Sequence, residues 1–264
     1  MQTIEGKTIW ITGASSGIGK SLVEELNKYP CNLVISSRNE EELIRVKNSC
    51  CNPENISVLP LDLKDHDQME GLVQKAISLF GSIDILVNNA GISQRSLIKD
   101  TDFSVYRELM DIDYLGTVAL SKAILPHFIS NRNGYYVTVT SLMGKFGSPY
   151  RSGYCGAKHA LHGFFDVMRM EHEKDNIRVT LVCPGFVQTN VAKNALTGDG
   201  SPQNRDDTAT QNGITPNTAA KKIIRAIGKQ KFEVYVGRGE VKGIYLKRFF
   251  PKLLHKVVLK SQVR

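Results

Sequence analysis

The stretch "TGASSGIG" (residues 12–19) leaves a short apolar run, "TIWIT" (8–12), and enters a helical pattern, "IGKSLVEEL" (18–26). Gly13 permits a sharp turn after a strand, Gly17 lets the backbone approach a phosphate, and Gly19 allows a helix to pack closely on that strand. The first turn of the helix offers amides with no partner inside it, so a pyrophosphate fits there. No GK[ST] follows, which argues against a nucleoside triphosphate and for a dinucleotide. A glycine-rich turn alone is weak evidence, and its weight comes from its surroundings.

Working outward, short β-branched runs recur at "NLVIS" (32–36), "ISVLP" (56–60), "IDILVN" (83–88), "YYVTVT" (135–140), "IRVTLV" (177–182) and "FEVYV" (232–236). Amphipathic stretches separate them, among them "QMEGLVQKAISLF" (68–80) and "MDIDYLGTVALSKAILPHF" (110–128). Strands apolar on both faces and separated by helices predict right-handed βαβ units in a parallel sheet. The expectation is an α/β, doubly wound Rossmann-type fold, with seven parallel strands and helices on both faces, forming one domain over 1–264. One polar, glycine-rich segment, 190–216, is too long for an ordinary connection and predicts a lid over a site.

Composition is that of an ordinary globular chain: 41% hydrophobic and 23% charged residues, which argues against disorder. No run approaches the ~20 apolar residues that cross a bilayer, and the N-terminal residues run almost at once into a strand, so the reading expects a cytoplasmic protein. Five cysteines without CxxC spacing predict reduced thiols rather than a disulfide framework or a zinc site. His159 and His162 have no evident third ligand, and no metal is expected. The formal charge of +8 resides largely in 238–264, where eight Lys/Arg face one acid. In "VKGIYLKRFFPKLLHKVVLK" (241–260) apolar pairs alternate with cations, and Pro251 should divide the segment into two short helices. This tail could lie on an anionic membrane surface or pack on the protein or a sister subunit. No nucleic-acid module is recognisable, and no nucleic-acid partner is expected.

The second strand ends in "SSRNE", where Ser37 and Arg38 replace the acidic residue that would hold a ribose diol. A guanidinium suits a 2′-phosphate, so NADP(H) is the expected cofactor. In "SGYCGAKHA" (152–160), Tyr154 and Lys158 share a helix face. A free phenol titrates near ~10, but an ammonium at ~4 Å and an effective dielectric near 20 favours a phenolate by about 4 kcal/mol, enough to turn a tyrosine into a proton donor and acceptor. Ser141 follows the fifth strand, at the carboxyl edge of the sheet, and can donate to an oxygen that gains charge as hydride arrives.

"TGASSGIG", "LDLKD" (61–65), "NNAG" (88–91), Ser141, "YCGAK" (154–158) and "PGFVQT" (184–189) occur in the order and approximate spacing of the short-chain dehydrogenase/reductase family, which this sequence resembles over roughly 5–236. The "NALTGDG" loop (194–200) and basic tail also resemble its member-7-type branch. The resemblance implies a cofactor lying against Gly13, Ser15, Ser16, Gly17, Ile18 and Gly19, against Ser37 and Arg38, and against Asp62 and Leu63 near the adenine. It further implies Asn89, Ala90 and Gly91 near the adenosine ribose, and Pro184, Gly185, Val187 and Thr189 near the nicotinamide. Tyr154 would be the acid/base, Lys158 its modulator and ribose holder, and Ser141 the partner of the reacting oxygen. Asp113 stands where the family normally carries an asparagine that holds a relay water. A carboxylate accepts but cannot donate unless protonated, so this position belongs to the catalytic set with its role altered. The expected activity is NADP(H)-dependent hydride transfer to or from a carbonyl/secondary alcohol of a lipophilic small molecule, by a homodimer or homotetramer. The rival is a catalytically impaired NADP(H)-binding sensor or membrane-linked protein.

Overall fold

A computed structural model describes residues 4–261; residues 1–3 and 262–264, the ends of the expected domain and tail, lie outside the described residues. The strands are β1 (Thr8–Thr12), β2 (Asn32–Ser36), β3 (Ile56–Val58), β4 (Ile85–Asn88), β5 (Gly134–Val139), β6 (Ile177–Pro184) and β7 (Glu233–Val236). The helices are α1 (Gly17–Leu26), α2 (Glu40–Asn48), α3 (Met69–Phe80), α4 (Phe103–Met110), α5 (Thr117–Ser130), α6 (Ser152–Glu171), α7 (Thr208–Gln211), α8 (Pro216–Gly228), α9 (Lys242–Phe249) and α10 (Pro251–Lys260). All seven strands pair in parallel in the order β3-β2-β1-β4-β5-β6-β7, the Rossmann-type arrangement.

Side-chain alternation sorts each strand between two apolar layers. On β1, Ile9 and Ile11 enter the layer with Leu22 and Leu26 of α1 and Ile223 and Ile227 of α8. Trp10 points to the opposite layer, with Val73 of α3, Leu120 and Phe128 of α5, and Phe165 of α6. Burial on both faces accounts for the near-continuous apolar strands, and Trp10 still satisfies its indole by donating to Ser36 Oγ at 2.8 Å.

The chain order reverses between β1 and β4, so the crevice at the carboxyl ends of those strands is where a ligand binds in such sheets. The helical pattern expected over 110–128 forms, but it widens into a π-helical turn at Asp111–Gly116, which joins α4 to α5 without a break. Gly116 presses on the loop after β3, and a Cβ there would fall 2.4 Å from the Leu63 carbonyl. Such wide turns admit an extra residue and recur at functional sites. Pro251 divides the tail at Phe250 into α9 and α10. Leu254 of α10 is buried in a third apolar cluster with Leu142, Phe146 and Cys183.

Candidate active site

The turn after β1 has the geometry that its glycines require. Gly13 and Gly17 adopt φ of 64° and 55°, in the left-handed region. A Cβ on Gly19 would fall 2.1 Å from the Gly13 carbonyl, so α1 lies against the turn as only glycine allows. Ser16 is the extended N-cap of α1 and makes no side-chain cap, leaving first-turn amides available to an anion. The neighbouring "NNAG" segment is fixed to this turn: Thr12 Oγ1 accepts from the Asn89 and Ala90 amides at 3.0 and 3.1 Å, and Asn89 Nδ2 donates to the Thr12 carbonyl at 3.0 Å.

These elements wall a cavity of about 900 Å³. Of the residues expected at the cofactor, Ser15, Ile18, Ser37, Arg38, Asp62, Leu63, Gly91, Pro184, Gly185, Val187 and Thr189 line it, as do Gly13, Ser16, Gly17, Asn89 and Ala90; Gly19 stays behind the wall as a packing residue. Arg38 is exposed at the end of β2, and among the described residues no carboxylate pairs with it. Of Glu40, Glu41 and Glu42, whose charge opposes a phosphate there, Glu41 and Glu42 are engaged by Arg45. Glycines that a Cβ would clash at and uncapped helix amides together fit a dinucleotide.

The chemistry-bearing side chains meet at the far side. Tyr154 and Lys158 lie on α6, and the Lys158 ammonium sits 5.7 Å from the centre of the Tyr154 ring. Ser141, just past β5, lines the same cavity; its Oγ accepts from the Met143 amide at 3.1 Å and lies 3.4 Å from the Pro184 carbonyl. It is therefore both an N-cap and a cavity hydroxyl.

Asp113 is fully buried behind Gly91 rather than on the cavity wall. Its Oδ1 accepts from the Ile92 amide at 2.7 Å, while its Oδ2 has no hydrogen-bond partner and stands 3.6 Å from Lys158 Nζ. Burial pushes this carboxyl above its usual range, and the Lys158 charge opposes the push. A Cβ on Gly91 would lie 3.0 Å from both Asp113 Oδ1 and Lys158 Nζ, so only glycine leaves the pair its present spacing.

A second charged cluster had no signal in the sequence. Arg95 and Arg151, both on the cavity wall, converge on Asp207 from the 190–216 segment. Two arginines separated by 56 positions and an aspartate within "NRDDT" read in the sequence as ordinary polar residues. Segment 190–216 is further fastened by Leu196, which exchanges backbone bonds with Ser93 and Arg95. The tail joins the site as well: Glu240 accepts from the Phe186 amide at 3.2 Å, and Leu246, Leu254 and Val258 line the cavity. His162, with Thr140 Oγ1 at 3.1 Å, is buried inside the protein, and burial lowers its pKa to about 4.

A parallel sheet with this crevice and this Ser-Tyr-Lys set defines a class of nucleotide-dependent oxidoreductases, and the model of the short chain dehydrogenase family matches residues 7–199. The chain belongs to the short-chain dehydrogenase/reductase family. It is 41% identical over 234 residues to human dehydrogenase/reductase SDR family member 7, covering 86% of this chain and 69% of that one. It is 37% identical to the SDR family protein 7-like of Anopheles gambiae (98% of this chain, 84% of that one) and also 37% identical to member 7B of Xenopus laevis (97% and 81%). Among solved structures it resembles a short-chain dehydrogenase/reductase from Burkholderia phymatum in complex with NAD (TM-score 0.84, 19% identity, 96% of each chain). It also resembles an alcohol dehydrogenase from Thermococcus sibiricus complexed with 5-hydroxy-NADP (TM-score 0.74, 23% identity, 89% of this chain and 97% of that one). Among the described residues no helix is long and apolar enough to cross a membrane.

Proposed function

We propose that this protein is an NADP(H)-dependent oxidoreductase that interconverts a carbonyl and a secondary alcohol on a lipophilic small molecule. The observation that carries the reading is the Lys158 ammonium held 5.7 Å from the Tyr154 ring in the cavity that also contains the glycine turn and Ser141. When bound, the cofactor supplies or accepts the hydride. The first-turn amides of α1 receive its pyrophosphate, Arg38 receives the 2′-phosphate, and Lys158 holds the nicotinamide ribose. Ser141 hydrogen-bonds the substrate oxygen, and Tyr154 gives that oxygen a proton in reduction and takes it back in oxidation. Phe186, Leu196 and Leu246 on the cavity wall suit an apolar substrate body. The reading includes a homodimer or homotetramer, supported by Leu115, Val167 and Met170, apolar side chains exposed on the segments after β4 and β5.

The test is a panel of aliphatic, steroidal and aromatic ketones with NADPH and with NADH, followed by nicotinamide absorbance. Turnover is expected with NADPH, and Tyr154→Phe should lower kcat at least ~100-fold while binding NADPH as tightly as the unsubstituted protein. Preference for NADH overturns the role of Arg38, and unchanged turnover in Tyr154→Phe overturns the acid/base assignment. One observation favours a second reading, a cofactor-binding protein without turnover: the ionisable Asp113 at the position where the family resemblance expects a neutral amide. NADPH binding with no turnover on any ketone, even after Asp113→Asn, selects it.

A further inference from the structure

Among the described residues, six of the seventeen exposed large apolar side chains fall within the fifteen residues 245–259: Tyr245, Phe249, Phe250, Leu253, Val257 and Leu259. The same helices carry unneutralised charge. Between 238 and 261 there are seven Lys/Arg and one acid, Glu240, and that acid already accepts from the Phe186 amide. Among the described residues none of the seven cations forms an ion pair.

The arrangement on α10 follows from its periodicity. Leu254 and Val258, one turn apart, face the protein: Leu254 is buried and Val258 half-buried. Phe250, Leu253 and Val257, spaced i, i+3 and i+7, form an adjoining strip that the protein does not cover. Lys252, Lys256 and Lys260 border that strip on the side away from Leu254 and Val258, and all three are exposed. A solvated helix face has the cations without the aromatic and aliphatic strip. A buried interface between subunits is depleted in lysine at its centre. A strip of Phe, Leu and Val bordered by lysines on a short helix matches the headgroup region of an anionic bilayer, with the apolar side in the acyl boundary and the ammonium groups among the phosphates. Neither α9 nor α10 can span a membrane, so the contact is interfacial.

We propose that α9 and α10 dock on an anionic lipid surface, with the rim of the active-site cavity turned toward it. The rim is identified by Val257 and Ser261, which line the cavity and are also exposed. The docking stands on the tail alone. Entry of substrate from the lipid rests on the proposed function, because it takes this cavity as the substrate site.

The experiment uses the full chain and two sets of variants, Lys252→Gln/Lys256→Gln/Lys260→Gln and Phe249→Ser/Phe250→Ser/Leu253→Ser, each with its melting curve compared to the unsubstituted protein. Partitioning is measured onto phosphatidylcholine vesicles with and without phosphatidylglycerol. Each basic side chain near an anionic leaflet strengthens partitioning roughly fivefold, so the triple lysine variant should lose about 100-fold on the anionic vesicles, as should the unsubstituted protein in high salt. The apolar variant should lose at least ~10-fold. A long-chain ketone delivered in anionic vesicles should be turned over more slowly by both variants, and a short water-soluble ketone at an unchanged rate. Background partitioning of the unsubstituted protein overturns the proposal, and so does equal partitioning onto both vesicle types. So does a dimer that the apolar substitutions convert to monomer without any vesicle binding, because a second copy then covers the strip. If neither ketone is turned over while the anionic vesicles are still bound, the function fails and the docking stands.

Discussion

Asp207 and Asp113 are both withdrawn from solvent beside the same cavity, and the fold surrounds them in opposite ways. Asp207 Oδ2 receives Arg95 Nε at 2.7 Å, Arg95 Nη2 at 2.6 Å and Arg151 Nη2 at 3.1 Å, and its Oδ1 receives Gln203 Nε2 at 3.2 Å. Burial would raise its carboxyl, but the hydrogen bonds and charge of Arg95 outweigh burial and hold it below the usual range. Arg151, in turn, is lowered to about 10 by burial and by the charge of Arg95. Asp113 has one backbone amide, a bare Oδ2 and an ammonium just beyond hydrogen-bond range. A carboxylate saturated from every side is a fastening, here between the 190–216 segment and the start of the helix that carries Tyr154. A carboxylate left under-bonded next to the lysine of the site has capacity to exchange a proton or a partner.

The largest effect should come from removing the saturated one. Asp207→Ala leaves two buried guanidinium groups facing each other, and breaking such a pair costs about 3–5 kcal/mol. For a chain of this size that lowers the thermal midpoint on the order of 10 °C. Circular dichroism melting at neutral pH reads it. A variant that melts with the unsubstituted protein would mean that the two carboxylates do not differ as their surroundings imply.

Lys158→Met separates the two clusters from the other side. On the proposed function, turnover should fall by about 100-fold or more. Stability should change by less than ~1.5 kcal/mol, because burial already inclines Asp113 to keep its proton once the ammonium is gone. Paired measurements of kcat and thermal midpoint decide it; a midpoint loss matching that of Asp207→Ala would make the Asp113–Lys158 pair a structural fastening as well.

The two clusters also differ in how legible they were. The glycine turn, the strand-end Ser141 and the Tyr154–Lys158 spacing are local features, set by a turn, a helix face and a sheet edge, and local physics predicts them from short stretches of sequence. Asp113 stood out as a departure from the family pattern, but its burial behind Gly91 depends on the wide turn at Asp111–Gly116, and apolar periodicity reads through that turn as plain helix. Arg95, Arg151 and Asp207 come together only because the 190–216 segment folds back onto the loop after β4. Charge in a polar loop looks the same whether it ends in solvent or in a buried bridge. The tail followed the same rule. Its division at Pro251 was local, whereas the choice of Leu254 and Val258 as its inward face required the cluster with Phe146 and Leu142.

The smallest effect is the most direct test of the contrast, because the two carboxylates should give stability opposite dependence on pH. Asp207 is depressed in the folded state, so its contribution is present above the unfolded carboxylate value of about 3.9 and is lost as pH falls through the folded value. Asp113 is raised, so the native state holds a proton that the unfolded chain releases, and stability declines as pH climbs from about 3.9 through the raised value. Asp113→Asn removes that decline while still offering an oxygen to the Ile92 amide. Leaving one buried acceptor unsatisfied costs roughly 1–3 kcal/mol and Lys158 offsets part of it, so the gain should be no more than about 1 kcal/mol. Denaturant midpoints across a pH series should coincide for the two proteins at the acid end and separate, with the asparagine variant more stable, as pH rises. If the variant is instead the less stable at neutral pH and the gap widens with pH, the Asp113 carboxylate is a net stabiliser of the Asp207 kind.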